Sequence, residues 1–171
     1  MHRLSFVALV VVAVCCAVLP LRLRGQENSQ TPKPEVSPFD NMQSELGLHK
    51  KALLSESQDL EAMMRSLKSP DQDAAIAIDQ RASLGAMELD ATIWFAGIYE
   101  NMQCDADREV AKAALKNRLG FYAQLLDLEA ETTAKQLALT RVPAVAQSGQ
   151  RIKEHLRAAK ATLDEMAASV K

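Results

Sequence analysis

Apolar residues recur at alternating spacings of three and four along the chain from about residue 38 onwards. Because one turn of an α-helix takes 3.6 residues, this spacing places the apolar side chains on one face of a helix. Four segments with this pattern follow one another and predict helices over about residues 38–67, 70–103, 106–140 and 143–170. The sequence therefore predicts an all-α fold.

The boundaries between these segments carry residues that favour helix starts. Ser37 precedes a proline at the first helical position, and Ser69 stands three residues before Gln72, the spacing of a capping box. Asp105 can cap the third helix, and Pro143 marks the start of the fourth. Links of only a few residues return each helix alongside its predecessor. The predicted architecture is an up-down-up-down antiparallel four-helix bundle.

Each predicted helix has a face that we expect to be buried in the core. On the first helix this face contains Met42, Leu46, His49, Leu53, Leu60, Met64 and Leu67. On the second helix it contains Ile76, Leu84, Met87, Ala91, Trp94, Ile98 and Met102. On the fourth helix it keeps a heptad register, as in a coiled coil, with Val145, Gly149, Ile152, Leu156, Ala159, Leu163, Met166 and Val170.

The third helix has two adjacent apolar stripes, which suits a helix that touches more than one neighbour. One stripe contains Val110, Ala114, Phe121, Leu125 and Leu128. The other contains Leu115, Leu119, Tyr122, Leu126, Thr133 and Leu137. Packing of large side chains against small ones is expected where the second and third helices meet. The expected level pairs are Trp94 with Ala113 and Ala114, Ile98 with Val110, and Met87 with Phe121.

The segment before the bundle has a different character. Residues 1–25 combine a short basic start with an apolar run, the features of a secretory signal peptide. Cleavage after Ala17 or after Gly25 fits this prediction, and Gly25 is favoured. The polar, proline-containing residues 26–37 predict a flexible linker. The bundle is then expected over residues 38–171.

These features predict an extracytoplasmic protein, either periplasmic or secreted. The alternative is a membrane-anchored chain, because the apolar residues 4–21 have about the minimum length that spans a bilayer. Removal of residues 1–25 takes away three arginines, which leaves 17 Lys and Arg against 22 Asp and Glu and a net charge of −5. An acidic chain of this kind is not expected to bind nucleic acid.

Cys104 is the one cysteine that remains after removal of the predicted signal peptide. A single thiol cannot form a disulfide within the chain, so it is either buried and inert or paired between chains. Burial of this free thiol is the favoured prediction. The aromatic content of 4%, with six glycines and six prolines, also argues against an all-β fold.

The bundle segment contains no sequence motif that we associate with catalysis or with metal or nucleotide binding. The spacings of zinc-protease, di-iron, c-type haem and phosphate-binding motifs are all absent. Counting residues through three successive turns places His49 and His155 about 12 Å out of register on the helical rise. A shared metal or haem iron is therefore not expected. We predict no enzyme activity, no cofactor and no metal.

The sequence favours a non-enzymatic bundle that acts through protein–protein interaction or as a structural module, and that self-associates or binds another protein. The alternative is a carrier that holds a small apolar ligand or cofactor in the core between the second and third helices. Both hypotheses use the same aromatic and methionine residues as contact sites. These residues are Met87, Trp94, Phe95, Tyr99, Phe121 and Tyr122.

Overall fold

The structure is a computed structural model that describes residues 38–170. Four helices account for nearly all of this segment: α1, Pro38–Met64; α2, Asp71–Glu100; α3, Asp105–Leu137; and α4, Pro143–Ser169. Residues 38–170 contain no β-strand. The prediction of an all-α fold with four helices is confirmed for these residues, and every observed boundary lies within three residues of the predicted one.

The start of α2 differs from the predicted capping box. Pro70 occupies the N-cap position, and no side-chain hydrogen bond caps this end of α2 within the described segment. The Ser69 hydroxyl donates instead to Asp73 Oδ2 at 2.7 Å. The Gln72 side chain donates to the carbonyl oxygen of Met64 at 3.3 Å, which ties α2 to the end of α1. The two side chains of the predicted box therefore bind other partners.

The core follows the predicted faces of α1 and α4. Every α4 position in the predicted heptad register is buried. On α1, Leu46, Leu53 and Leu60 are fully buried, and the other predicted positions are half-buried. A complete 3–4 pattern of apolar residues thus identified the inward face on the first and last helices.

The face predicted for α2 is wrong. Met87 and Trp94 are 65% and 62% exposed, and Ile76, Leu84 and Ile98 are exposed as well. The core is instead reached by a face of mainly small residues: Ala74, Ala75, Ile78, Ala82, Gly85, Ala86, Leu89, Thr92 and Ala96. Small side chains let helix axes approach closely, so this face can contact α1, α3 and α4 at once.

Only one of the two predicted stripes of α3 enters the core. Leu115, Leu119, Leu126 and Thr133 are buried in the second stripe. Val110 in the first stripe is 81% exposed, and Phe121 and Leu128 are also exposed. Most members of the expected large-to-small pairs between α2 and α3 lie on the outer surface of both helices, so these residues do not pack in the core as expected.

Each helix contacts the next one along the chain, and α4 also contacts α1. Across the centre of the bundle, α2 contacts α4. Gly149 of α4 allows this approach, since a Cβ atom there would lie 2.6 Å from Leu137 Cδ2 and 3.1 Å from Ile78 Cδ1. At Gly120 of α3, by contrast, no atom lies within 4 Å of the place where a Cβ would be.

None of the helices within residues 38–170 has both the length and the apolar composition to span a membrane. The predicted signal peptide, linker, possible anchor and Ser37 cap all lie outside the described residues.

Candidate interaction surface on α2 and α3

The exposed side of α2 carries an apolar stripe. Leu84, Met87, Ala91, Trp94 and Ile98 follow one another at spacings of three, four, three and four. Four of them are exposed and Ala91 is half-buried, so the regular pattern that normally marks a core face points outward here. We call these five residues the outer stripe of α2.

Residues on α3 extend the apolar surface at the same levels of the bundle. Arg81 of α2 forms an ion pair with Glu129 of α3 at 3.0 Å, and this contact sets the register of the two helices. In that register, Leu128 lies close to the level of Leu84, at the N-terminal end of the outer stripe. Leu128 and Phe121 are 53% and 55% exposed. Exposed apolar surface of this kind marks binding sites in soluble proteins.

The aromatic residues predicted as contact sites fall into two groups. Trp94 and Phe121 are exposed, as is Met87, whereas three others are half-buried and pack against the core: Phe95, Tyr99 and Tyr122. The rings of Trp94 and Phe95 meet edge to face with centroids 4.9 Å apart. The Arg118 guanidinium lies 3.8 Å from the centroid of the Phe95 ring. The Trp94 ring therefore packs against the Phe95 ring, which in turn contacts Arg118 of α3.

Two clefts adjoin the outer stripe. The first is an open groove of about 670 Å³ lined by Met87, Asp90, Ala91, Ile93 and Trp94. The Asp90 carboxylate at its edge accepts a hydrogen bond from the Lys50 ammonium of α1. The second cleft has a volume of about 190 Å³ and lies between α2 and α3. Its lining is Phe95, Ile98, Tyr99, Met102, Ala111, Ala114, Leu115 and Arg118.

A pair of carboxylates lies between α2 and α3. Glu129 is buried and bound to Arg81, while Glu88 is half-buried. Burial, and then the nearby charge of Glu129, raise the pKa of Glu88 to about 7. Glu88 Oε2 has no hydrogen-bond partner among the described residues. This region therefore carries a carboxyl group that is readily kept neutral.

The two histidines of the bundle are in contact, which the sequence did not predict. His49 Nδ1 and His155 Nδ1 are 3.2 Å apart, so the predicted 12 Å offset is wrong. A register counted through three successive turns accumulates the offset of each turn, and the observed α1–α4 contact is displaced by about eight residues from that count. Burial, and then the charge of His155, lower the pKa of His49, whereas Glu45 opposes the shift.

An ion pair lies next to this contact on the same two helices. Arg151 of α4 donates two hydrogen bonds to Glu56 of α1 at 2.5 and 2.8 Å, and a third to Ser148 at 3.1 Å. The hydrogen bonds from Arg151 lower the pKa of Glu56. Glu56 is therefore a fixed carboxylate with its oxygens already occupied.

Cys104 occupies the N-cap position of α3, in the link that follows α2. Its side chain is exposed, so the prediction of a buried thiol is wrong. Because the link closes one end of the bundle rather than crossing it, residues there have no second layer of side chains above them. The thiol forms no disulfide with the other residues that the structure describes.

No protein-family model, curated protein or solved structure matches this chain. The described residues form a four-helix fold with an exposed apolar stripe on α2.

Proposed function

We propose that this protein is a non-enzymatic interaction module that self-associates by packing the outer stripe of α2 against the same stripe of a second copy. The observation that carries the proposal is the exposure of a regular 3–4 apolar pattern over Leu84 to Ile98. Such a pattern is the sequence requirement for a helix–helix seam. On α2 it lies outside the core of its own bundle.

The apolar side chains of the stripe support a large favourable free energy of association. Burial of apolar surface stabilises a complex by about 25 cal/mol per Å², and tryptophan and other large side chains dominate such interfaces. Trp94 and Met87 are the most exposed side chains of the stripe, and each is more than half exposed. Phe95 supports the Trp94 ring, which reduces the side-chain entropy lost on binding.

A second copy is the partner that the spacing favours. Two identical helices can pack around a twofold axis, so that the outer stripe of one copy contacts the outer stripe of the other and the two stripes run antiparallel. In that arrangement Trp94 of one copy can lie over Ala91 of the other, so that a large side chain meets a small one. Asp90 and Lys50 lie at the edge of the groove, where a polar rim is usual.

Self-association is tested by sedimentation velocity of the full chain over a range of concentrations. We expect a reversible dimer that Trp94→Ser and Met87→Ser weaken by at least tenfold, because each change removes a large apolar contact. Leu48→Ser is the matched control, since Leu48 is 65% exposed on α1 and lies outside the stripe. A chain that stays monomeric at about 100 μM, or that Leu48→Ser dissociates equally, contradicts the proposal.

We also infer that the four helices run up-down-up-down. The contacts between neighbouring helices support this order, because residues with lower numbers on one helix contact residues with higher numbers on the next. Ser57 contacts Asp79, and the earlier Gln43 contacts the later Glu100. Opposite directions at each link are also what connections of only a few residues require.

Export of the chain remains part of the proposal. Residues 1–25 have the pattern of a secretory signal, and the acidic remainder is compatible with a secreted or periplasmic module. Cell fractionation followed by N-terminal sequencing tests it. A new N-terminus after Ala17 or Gly25 is expected, whereas an intact N-terminus in the membrane fraction would favour the anchor over residues 4–21.

The cleft between α2 and α3 supports a second candidate function. Its lining is apolar apart from Arg118, so it suits a small apolar ligand with a negative group, such as a medium-chain carboxylate. Ala114→Leu should fill the cleft and weaken decanoate binding at least tenfold by calorimetry. Ala113→Leu is the matched control, because Ala113 is exposed but does not line the cleft. Equal decanoate affinity in the two variants would rule out this site.

A further inference from the structure

His49 of α1 and His155 of α4 bring two imidazole nitrogens together at a seam of the bundle. Their Nδ1 atoms are 3.2 Å apart, and the ring planes are inclined by 55°. Two nitrogens bound to one tetrahedral Zn²⁺ at about 2.0–2.1 Å are about 3.3 Å apart, and two adjacent nitrogens in a square-planar site are about 2.9 Å apart. The observed separation lies between these two values.

We propose that His49 and His155 form a two-histidine site for a divalent transition-metal ion, bound through both Nδ1 atoms. Imidazole nitrogen suits Cu²⁺ and Zn²⁺, and Cu²⁺ is held more tightly of the two. Helical bundles often build metal sites from side chains on facing helices, because these helices hold the ligands at fixed distances. This inference is independent of the proposed function, since it concerns the α1–α4 seam.

The second nitrogen of His49 supports this assignment. His49 Nε2 is 3.9 Å from Glu45 Oε1, one helical turn earlier, and it has no hydrogen-bond partner among the described residues. A metal on Nδ1 leaves the proton on Nε2, and the Glu45 carboxylate lies 3.9 Å away, just beyond hydrogen-bond distance. Histidines that bind metals usually donate their other N–H to a carboxylate, a carbonyl group or water, which fixes the ring and raises its basicity, and Glu45 is the carboxylate nearest to this nitrogen.

The surroundings determine what kind of site this is. Glu56 is held by Arg151 and is not free to act as a ligand. Within the described segment, no three residues among His, Cys, Asp and Glu are grouped closely enough to hold an ion together. Water would therefore complete the coordination. We expect an exchangeable ion rather than a permanent structural one, since structural zinc sites use four protein ligands.

A bound ion would link the first and last helices of the bundle. Any ligand that binds the folded chain and not the unfolded chain stabilises the fold in proportion to the logarithm of its concentration over its dissociation constant. Saturating Zn²⁺ should therefore raise the thermal midpoint. The same ion should leave the outer stripe on α2 unchanged.

The direct test uses the full chain with one equivalent of CuCl₂ in a non-chelating buffer. Pulsed electron paramagnetic resonance should detect couplings from two imidazole rings on a single Cu²⁺, and calorimetry with ZnCl₂ should show saturation at one ion per chain. The spectroscopic measurement needs no substitution in the site, so it remains decisive if a histidine variant fails to fold. Coupling to fewer than two imidazoles overturns the proposal.

Variants separate this site from other ligands in the chain. His49→Gln and His155→Gln should each weaken Zn²⁺ binding at least tenfold, and Glu45→Gln should weaken it about tenfold through the second nitrogen. His2→Gln and Cys104→Ser are the matched controls, because they remove the other histidine and the exposed thiol. If the controls abolish binding, or if the two histidine variants retain it, the contact is a hydrogen bond only.

Discussion

The environment of Glu88 shows how a single residue can set the response of the whole fold to pH. Its carboxyl group is half-buried beside Glu129, and both effects favour the protonated form. The pKa of Glu88 is about 7 in the folded chain, against an ordinary value of 4.5. Folding therefore holds a proton that the unfolded chain releases at lower pH. The half-buried position of Glu88 beside Glu129 destabilises the fold only when the Glu88 carboxyl group loses that proton.

We expect the contribution of Glu88 to the free energy of unfolding to fall as pH rises from about 4.5 to 7, and to stay reduced above pH 7. Below pH 4.5 both states are protonated and Glu88 contributes no pH dependence. Glu88→Gln has no proton to lose, so it should be more stable than the native chain by about 1–2 kcal/mol at pH 8, after discounting for solvent screening. Urea unfolding at pH 4 and pH 8 measures the difference.

The control for this prediction is Glu131→Gln, which changes an exposed carboxylate on α3. It should shift the free energy of unfolding by less than about 0.5 kcal/mol at either pH. An equal gain at pH 8 in both variants would mean that net charge, rather than the burial of Glu88, sets the pH dependence.

At the scale of the helices, glycines distinguish open positions from close approaches. Gly47 of α1 has no atom within 4 Å of the place where a Cβ would lie, and Gly120 of α3 is equally open. Gly149 of α4 lies against Leu137 and Ile78. The same residue type therefore weakens two helices without a packing role and serves close packing in a third.

Gly47→Ala and Gly120→Ala should each raise the free energy of unfolding by about 0.5–1 kcal/mol, because alanine restricts the unfolded chain and favours helix. Gly149→Ala should lower it by about 1 kcal/mol, because the displacement of Leu137 and Ile78 outweighs the gain in helix propensity. Thermal unfolding of the three variants compares the two effects directly. A stabilising Gly149→Ala would mean that Leu137 moves without cost.

At the scale of the whole molecule, polar contacts close the ends of the bundle. Asp71 Oδ1, in the first turn of α2, accepts hydrogen bonds from the Arg141 backbone N–H at 2.7 Å and from the Thr140 hydroxyl at 3.1 Å. At the other end, Arg108 donates to the carbonyl oxygens of Glu100 and Met102. These contacts fix the link between α3 and α4 at one end and the link between α2 and α3 at the other.

Asp71→Ala should lower the free energy of unfolding by about 1–2 kcal/mol, because it leaves the link between α3 and α4 without its acceptor. Asp73→Ala is the matched control. Asp73 also lies in the first turn of α2, but its hydrogen bond is to the neighbouring Ser69 and not to another helix. We expect the control to cost clearly less. Similar losses would mean that the charge at the start of α2 matters more than the contact with the link.

The candidate surface was predictable in part. The sequence singled out Trp94, Met87 and Phe121, but as members of the core or as contact sites with no assigned face. A 3–4 pattern shows that apolar residues share one side of a helix, and it does not show which way that side points. On α2 a second face, made mainly of small residues, is the one that is buried. Alanine and glycine on this face allow α1, α3 and α4 to approach α2 closely.

The sequence by itself determined that residues 38–170 form four helices, where these begin and end to within three residues, and which faces of α1 and α4 are buried. These properties depend on local spacing, helix starts and a single apolar face. Only the tertiary structure decided the outward direction of the α2 stripe, the exposure of Cys104 and the meeting of His49 with His155. The direction of the stripe and the histidine contact depend on the relative rotation and register of the helices, which the side chains of all four helices settle together. The exposure of Cys104 depends on its place in the link at one end of the bundle.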